Sequence, residues 1–274
     1  MVMINKYDNC NKTTAGELDK LVGDATLRPY LGCSRIGHPC SRFLWLEFRW
    51  AFKGHIGARL KRLFWRGHRE EPEIINELQQ IGIKCYDDQA ECNFASGHMS
   101  GHCDGKAIGV PEAPLTEHLL EFKTASDKKF KEMKKKGVEK ANPTYFGQLQ
   151  VYMKGLRLTR ALFIMVNKND DTFYVERVPY ESAKANSLIR KGQSIILSEI
   201  APSIMAPCSP TYYSCKWCDA HGVCFGTVPV NKTCRTCQAI TILDEGKWGC
   251  TKLGIELATG QQRLACNLYE GIGV

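Results

Sequence analysis

The stretch HLLEFKTA, residues 118–125, most constrains what this chain can fold into. Its opening is nearly continuous in apolar residues, the pattern of a strand buried inside a sheet rather than at its edge. Within it stand Glu121 and Lys123, two residues apart. Side chains alternate along a strand, so both charges point to the same face. Upstream, GHMSGHCDGKAIG (97–109) brings a second carboxylate, Asp104, through a glycine-rich approach. Either stretch alone reads as ordinary sheet, and the residues around them decide the matter.

Flanking segments predict helices and further strands. ARLKRLFWRGHREEPEIINELQQ (58–80) carries Leu60, Phe64, Ile74, Ile75 and Leu78 at helical spacing, with a bend expected near Pro72. From Ile81 to Val110, short alternating segments with many glycines suit a β-meander. Ser126 caps a basic helix, SDKKFKEMKKKG, and Asn142-Pro143 start TYFGQLQVYMKGL as another. RALFIMVNK and TFYVERVPY read as strands across an NDD turn, followed by a helix over roughly 180–200. The predicted fold class is α/β, a mixed central sheet flanked by helices, with a small cysteine-rich, metal-bound C-terminal tail. The boundaries expected are a polar segment at 1–30, a core at 31–228 and a tail module at 229–274.

Asp104 and Glu121 suit magnesium or manganese, hard ions that seek oxygen. Phosphodiester hydrolysis needs such a hydrated cation, an activated water and stabilised charge on the phosphoryl oxygens. Lys123 is placed to orient the water or neutralise that charge, and the Phe122 carbonyl between the two charged residues is a further ligand. His68 follows a glycine on the preceding helix and adds an imidazole, while Gln148 and Tyr152 share one helix face at i and i+4. Glu71 is a looser addition. Arg62, Arg66, Lys128, Lys131 and Lys135 flank these regions as candidate DNA contacts.

The order Gly67-His68, Asp104, Glu121-Phe122-Lys123, Gln148-x-x-x-Tyr152 resembles the PD-(D/E)XK nuclease superfamily, in its RecB-like branch, over about residues 31–225. The resemblance implies a restriction-endonuclease-like core in which His68, Asp104, Glu121 and the Phe122 carbonyl bind the catalytic metal. It implies Lys123 as the catalytic lysine, with Gln148 and Tyr152 holding the active site or the DNA. Cys103 stands where a proline often precedes the aspartate.

The 14 cysteines fall into two main sets. Cys215-x2-Cys218-x5-Cys224 places three thiols close together, which in a reducing compartment argues for metal over disulfide. Cys40 is taken as the fourth ligand, with Cys33 its rival. This one-plus-three pattern is similar to that of the iron–sulfur nucleases of the RecB-like branch, including the AddB nuclease domain and the CRISPR-associated exonucleases, and implies a 4Fe–4S cluster; zinc is the competing occupant. Cys234-x2-Cys237 with Cys250 and Cys266 reads as a tetrahedral zinc site in the tail. Cys10, Cys85, Cys92, Cys103 and Cys208 read as packing residues.

A net charge of +8 favours an anionic partner, with DNA foremost. The sequence shows no membrane-spanning run and no signal peptide, so a cytoplasmic place is expected, in the host if the chain is phage-encoded. The function expected is a metal-dependent DNA exonuclease, with some endonuclease action, in recombination, repair or phage DNA metabolism. A non-catalytic DNA-binding module and a CRISPR-type adaptation nuclease working with a protein partner are the alternatives.

Overall fold

Residues 118–125 form the middle strand of a five-stranded sheet, as the apolar run predicts. The computed structural model describes residues 13–21, 23–24 and 27–274. The described residues begin with α1 (Thr14–Asp19), β1 (Gly23–Asp24), β2 (Leu31–Gly32), α2 (Ser41–Phe48), β3 (His55–Ile56) and the long α3 (Ala58–Gln80). Next come β4 (Lys84–Tyr86), β5 (Glu91–Phe94), β6 (Met99–His102), β7 (Gly105–Ile108) and β8 (His118–Ala125). Helices α4 (Asp127–Ala141) and α5 (Pro143–Leu156), strands β9 (Arg160–Asn167) and β10 (Phe173–Pro179), and helix α6 (Ser182–Leu197) complete the core. The C-terminal part holds α7 (Tyr213–Lys216), α8 (His221–Cys224), β11 (Ile240–Ile242), β12 (Trp248–Cys250), β13 (Ile255–Leu257) and α9 (Thr259–Gln262).

The main sheet runs β10-β9-β8-β7-β4. β8 pairs parallel with β9 and antiparallel with β7, so the sheet is mixed and helices flank it. Alternation sorts its residues between two cores. Leu120, Phe122, Leu162 and Ile164 pack under Ile74 and Leu78 of α3. Leu119, Phe163 and Met165 face the opposite side, where α2, α5 and α6 contribute Trp45, Leu149 and Ile195. At α5 the sequence signals act as expected: Pro143 opens the helix, and the Asn142 side chain accepts the Thr144 and Tyr145 amides at 3.2 Å. α3 continues through Pro72 as one element.

The meander expected over 81–110 is divided between two sheets. β4 pairs directly with β7, while β5 and β6 join β2 in a separate three-stranded sheet. The chain passes from one sheet to the other at Cys103-Asp104, where Gly105 adopts φ +148, a backbone state that L side chains rarely enter. Hydrophobic alternation marks a strand but does not choose its partner, which is why the sequence does not show this division.

The C-terminal segment is tied into the larger core. Trp248 has no exposure and stacks on Phe48 of α2 with ring centroids 5.0 Å apart. The Arg235 guanidinium lies 3.8 Å from the Trp50 ring centroid and 4.3 Å from that of Trp248. It donates to Gln262 Oε1 and to the carbonyls of Phe48 and Pro29. Burial draws its pKa down to about 9, and the aromatic faces and carbonyls hold the charge without a carboxylate.

Candidate active site

Gly105 pairs with Leu120 and Lys106 with Leu119 between β7 and β8. One step further along that register sets Asp104 opposite Glu121, at the point where the chain leaves the second sheet. The break frees Asp104 from the ladder, and its Oδ2 accepts the Phe122 amide at 2.6 Å. That amide bond clamps the aspartate against the strand carrying the Glu-x-Lys.

Glu121 is 1% exposed. Its Oε1 accepts from Lys123 Nζ and from Gln148 Nε2, whereas Oε2 is buried with no hydrogen-bond partner among the described residues. Burial pushes the carboxyl up to about 8 against the pull of Lys123, and the charge of Asp104 adds to the rise. Burial raises Asp104 as well. For Lys123, burial opposes the charge, yet Glu121 and Asp104 hold the ammonium above the usual lysine range. The pair is thus a protonated lysine beside a carboxyl group whose second oxygen has no partner among the described residues. A divalent cation would fill that want. The donors fit a hard ion: the buried Glu121 carboxyl, the half-buried one of Asp104, a third at Glu71, and the His68 imidazole.

Helix α3 brings the remaining groups. His68 Nδ1 lies 3.4 Å from Glu71 Oε1, with the histidine side chain 75% exposed. Burial and then the Asp104 charge raise Glu71, while His68 and Lys123 draw it down, so these groups share one electrostatic site. Among the described residues, no three His, Cys, Asp or Glu side chains are gathered as a metal site in their present positions. Asp104 and Glu121 are engaged with N–H donors, and His68 turns toward solvent.

On the other face, Gln148 is 4% exposed and fixes Glu121. Tyr152 lies one turn further along α5, 2% exposed, with its hydroxyl so near Gly101 that a Cβ there would lie 2.7 Å from it. The tyrosine therefore supports the site from behind. Tyr145, absent from the sequence-predicted set, offers its ring 5.4 Å from Lys123 Nζ. Its position three residues before Gln148 on the same helix face was the available signal. Glu71, expected as a looser addition, stands three residues after His68 in the same way.

The predicted DNA contacts divide. Arg62 is paired with Asp19 at 2.8 Å, Arg66 with Glu70 at 3.1 Å, and Lys131 with Asp127 at 2.8 Å. Lys128 and Lys135 are exposed and make none of the ion pairs among the described residues.

Cys40, Cys215, Cys218 and Cys224 line one small cavity, joined by Cys208, which the sequence reading assigned to packing. Cys33 carries the same Ser-Arg sequel as Cys40, so the motif does not separate them. Position does: Cys33 is fully buried beside Cys92, away from that cavity. Cys40 caps α2, its Sγ accepting the Phe43 amide at 3.4 Å. Cys234, Cys237, Cys250 and Cys266 line a second cavity, of ≈ 300 Å³, in the C-terminal segment. Cys10 lies outside the described residues.

No family profile and no curated protein matches the chain. Among solved structures, the chain is similar to the crystal structure of SSO0001, at 13% identity and TM-score 0.44, covering 73% of this chain and 88% of that one. It is also similar to LHK-Exo in complex with dAMP, at 13% identity and TM-score 0.45, over 62% of this chain and 87% of that one. A second structure of LHK-Exo, an alkaline exonuclease from Laribacter hongkongensis, gives 14% identity and TM-score 0.44, over 61% of this chain and 86% of that one.

The raised Glu121 pKa yields a pH dependence. Below about 8 the carboxyl holds its proton, and a cation must displace it to bind. Manganese binding near neutral pH is expected to release about one proton, with affinity rising as pH increases and levelling above the Glu121 value. Calorimetric titration in two buffers of different ionisation heat measures this. Affinity and proton release that do not vary with pH would remove Glu121 from the ligand set.

Proposed function

We propose that the protein is a metal-dependent DNA nuclease that works from DNA ends, of the PD-(D/E)XK type. The observation that carries this reading is the orphaned, buried Oε2 of Glu121, set opposite Asp104 and beside a protonated lysine. A purely structural ion pair would leave no carboxylate oxygen without a donor in the interior, since that costs roughly 1–3 kcal/mol or more. Asp104, Glu121 and the Phe122 carbonyl, with His68 and Glu71 closing from α3, would hold magnesium or manganese. The bound cation supplies Lewis acidity and an ionised water.

The protein's own groups do the rest. Lys123 places a fixed positive charge where the phosphoryl oxygens gain negative charge. The Tyr145 ring and the Glu121 carboxylate hold that ammonium in place, and Gln148 holds Glu121. Exposed Lys128 and Lys135 attract the DNA backbone and release its counterions.

Asp104→Ala and Glu121→Ala are expected to abolish cleavage of end-labelled DNA with magnesium or manganese while leaving DNA binding largely intact. Lys123→Ala lowers turnover by about 100-fold or more, in the range for lost transition-state charge stabilisation. Lys135→Ala instead weakens binding and flattens its salt dependence. Substantial turnover by Asp104→Ala, or a pure affinity loss in both lysine variants, contradicts the assignment. A non-catalytic DNA-binding module would bind DNA and leave end-labelled substrates intact.

The two thiol cavities are proposed as structural metal sites. Cys40, Cys215, Cys218 and Cys224 would tie the start of α2 to the far end of the core through a 4Fe–4S cluster, as the sequence resemblance implies. The four thiols line one cavity, and either occupant would have to draw them closer, since among the described residues no three are gathered as a metal site in their present positions. The tail set suits tetrahedral zinc. Metal and sulfide analysis of anaerobically purified protein decides between the occupants: about four irons and one zinc per chain for the first reading, about two zincs for the second. Cys215→Ala is expected to remove the metal of the first site and Cys237→Ala that of the second, each lowering thermal stability. Full metal content in both variants would contradict either assignment.

A further inference from the structure

Helix α3 is 23 residues long, yet its buried residues are Ala58, Ile74 and Leu78 alone. Ile74 and Leu78 belong to the stripe that packs on the main sheet. Followed toward the N-terminus at three- and four-residue steps, the same stripe passes Glu71 and His68 and reaches Phe64 and Leu60. There no described residue covers it: Phe64 is 50% exposed and Leu60 40%. Among the described residues the helix is bare between them and the site, since a Cβ added at Gly67 would meet no atom within 4 Å. Helix α1 does not cover this stripe, because it docks on the side of α3 marked by the Arg62–Asp19 pair.

The surroundings are cationic. Residues 58–69 contain five cations and no acidic residue; Asp19 answers Arg62 and Glu70 answers Arg66, which leaves Arg59, Lys61 and Arg69 without an ion pair among the described residues. Arg59, Arg66 and Lys129 also crowd Lys168 at the end of β9, whose ammonium is depressed first by burial and then by those charges. An apolar protein segment would bring no charge to answer this cluster. A polyanion with flat apolar faces answers both features at once.

We propose that Phe64, with the open helix surface at Gly67, is a stacking platform for one unpaired base of a DNA strand led into the Asp104–Glu121 site. The proposal rests on the nuclease reading for its substrate class. It makes Phe64 a specificity residue. Bases in a duplex are already stacked and paired, so only an unpaired strand can lay a base on the ring while its phosphates meet the α3 cations.

Binding in EDTA tests this without calling on catalysis. Labelled single strands and duplexes of equal length are titrated by fluorescence anisotropy. Stacking of a base on an aromatic ring is worth roughly 1–3 kcal/mol, so Phe64→Ala is expected to weaken single-strand binding about 10-fold and duplex binding by less than about 2-fold. Abasic nucleotides, which keep the charge and remove the faces, should weaken the parent protein by about the same 10-fold and leave Phe64→Ala unchanged. Gly67→Leu, which favours the helix and fills the open surface, should reproduce the loss with no fall in thermal stability. Equal losses on single strand and duplex, or a parent protein indifferent to abasic sites, overturn the proposal. Base-dependent binding without cleavage in magnesium or manganese overturns the nuclease reading and leaves the platform standing. Cleavage with no base-dependent binding does the reverse, and no DNA binding at all overturns both.

Discussion

Everything at this site depends on one carboxylate kept inside the sheet. Glu121 lies on the central strand at 1% exposure, where an isolated charge costs several kcal/mol even after relaxation. Lys123 and Gln148 offset that cost at one oxygen, and the other is left without a donor. Around this half-satisfied group the neighbouring elements make sense. The chain breaks between two sheets to bring Asp104 opposite it, α5 supplies the amide and the aromatic ring, and α3 crosses with an imidazole and a third carboxylate. Completing both carboxylates with protein donors would give a more stable sheet and no place for a cation.

Sequence reasoning reads the local part of this arrangement well. The apolar run around Glu121 identifies a central strand, the Asn142-Pro143 signal locates the start of α5, and strand alternation puts Glu121 and Lys123 on one face. It does not reach features set by partners distant in the chain. Division of the expected meander between two sheets depends on which strand pairs with β7, and alternation is silent on that. The Arg235 clasp joins residues about two hundred positions apart in the chain and leaves no periodic trace. Tyr145 was within reach, since it stands three residues from Gln148 on one helix face, as the more loosely expected Glu71 stands from His68.

The cysteines show the same limit from the other side. Spacing brings Cys215, Cys218 and Cys224 together at once, because short separations leave the chain few alternatives. Choosing between Cys33 and Cys40 requires the fold, since both precede Ser-Arg. Burial of Cys33 against Cys92 leaves Cys40 at the cavity, and Cys208 enters as a fifth thiol that spacing gave no reason to include. Trp248 of the C-terminal segment belongs to the core shared with α2.

The central claim is that Glu121 is held in the interior as a metal ligand. Anomalous diffraction from crystals grown with manganese tests it most directly. The expected result is a peak within about 2.0–2.3 Å of Glu121 Oε2 and of an Asp104 oxygen, the range for a hard divalent ion on carboxylates. A structure in saturating manganese with no peak there, and with Glu121 Oε2 satisfied by a protein donor, would contradict the account.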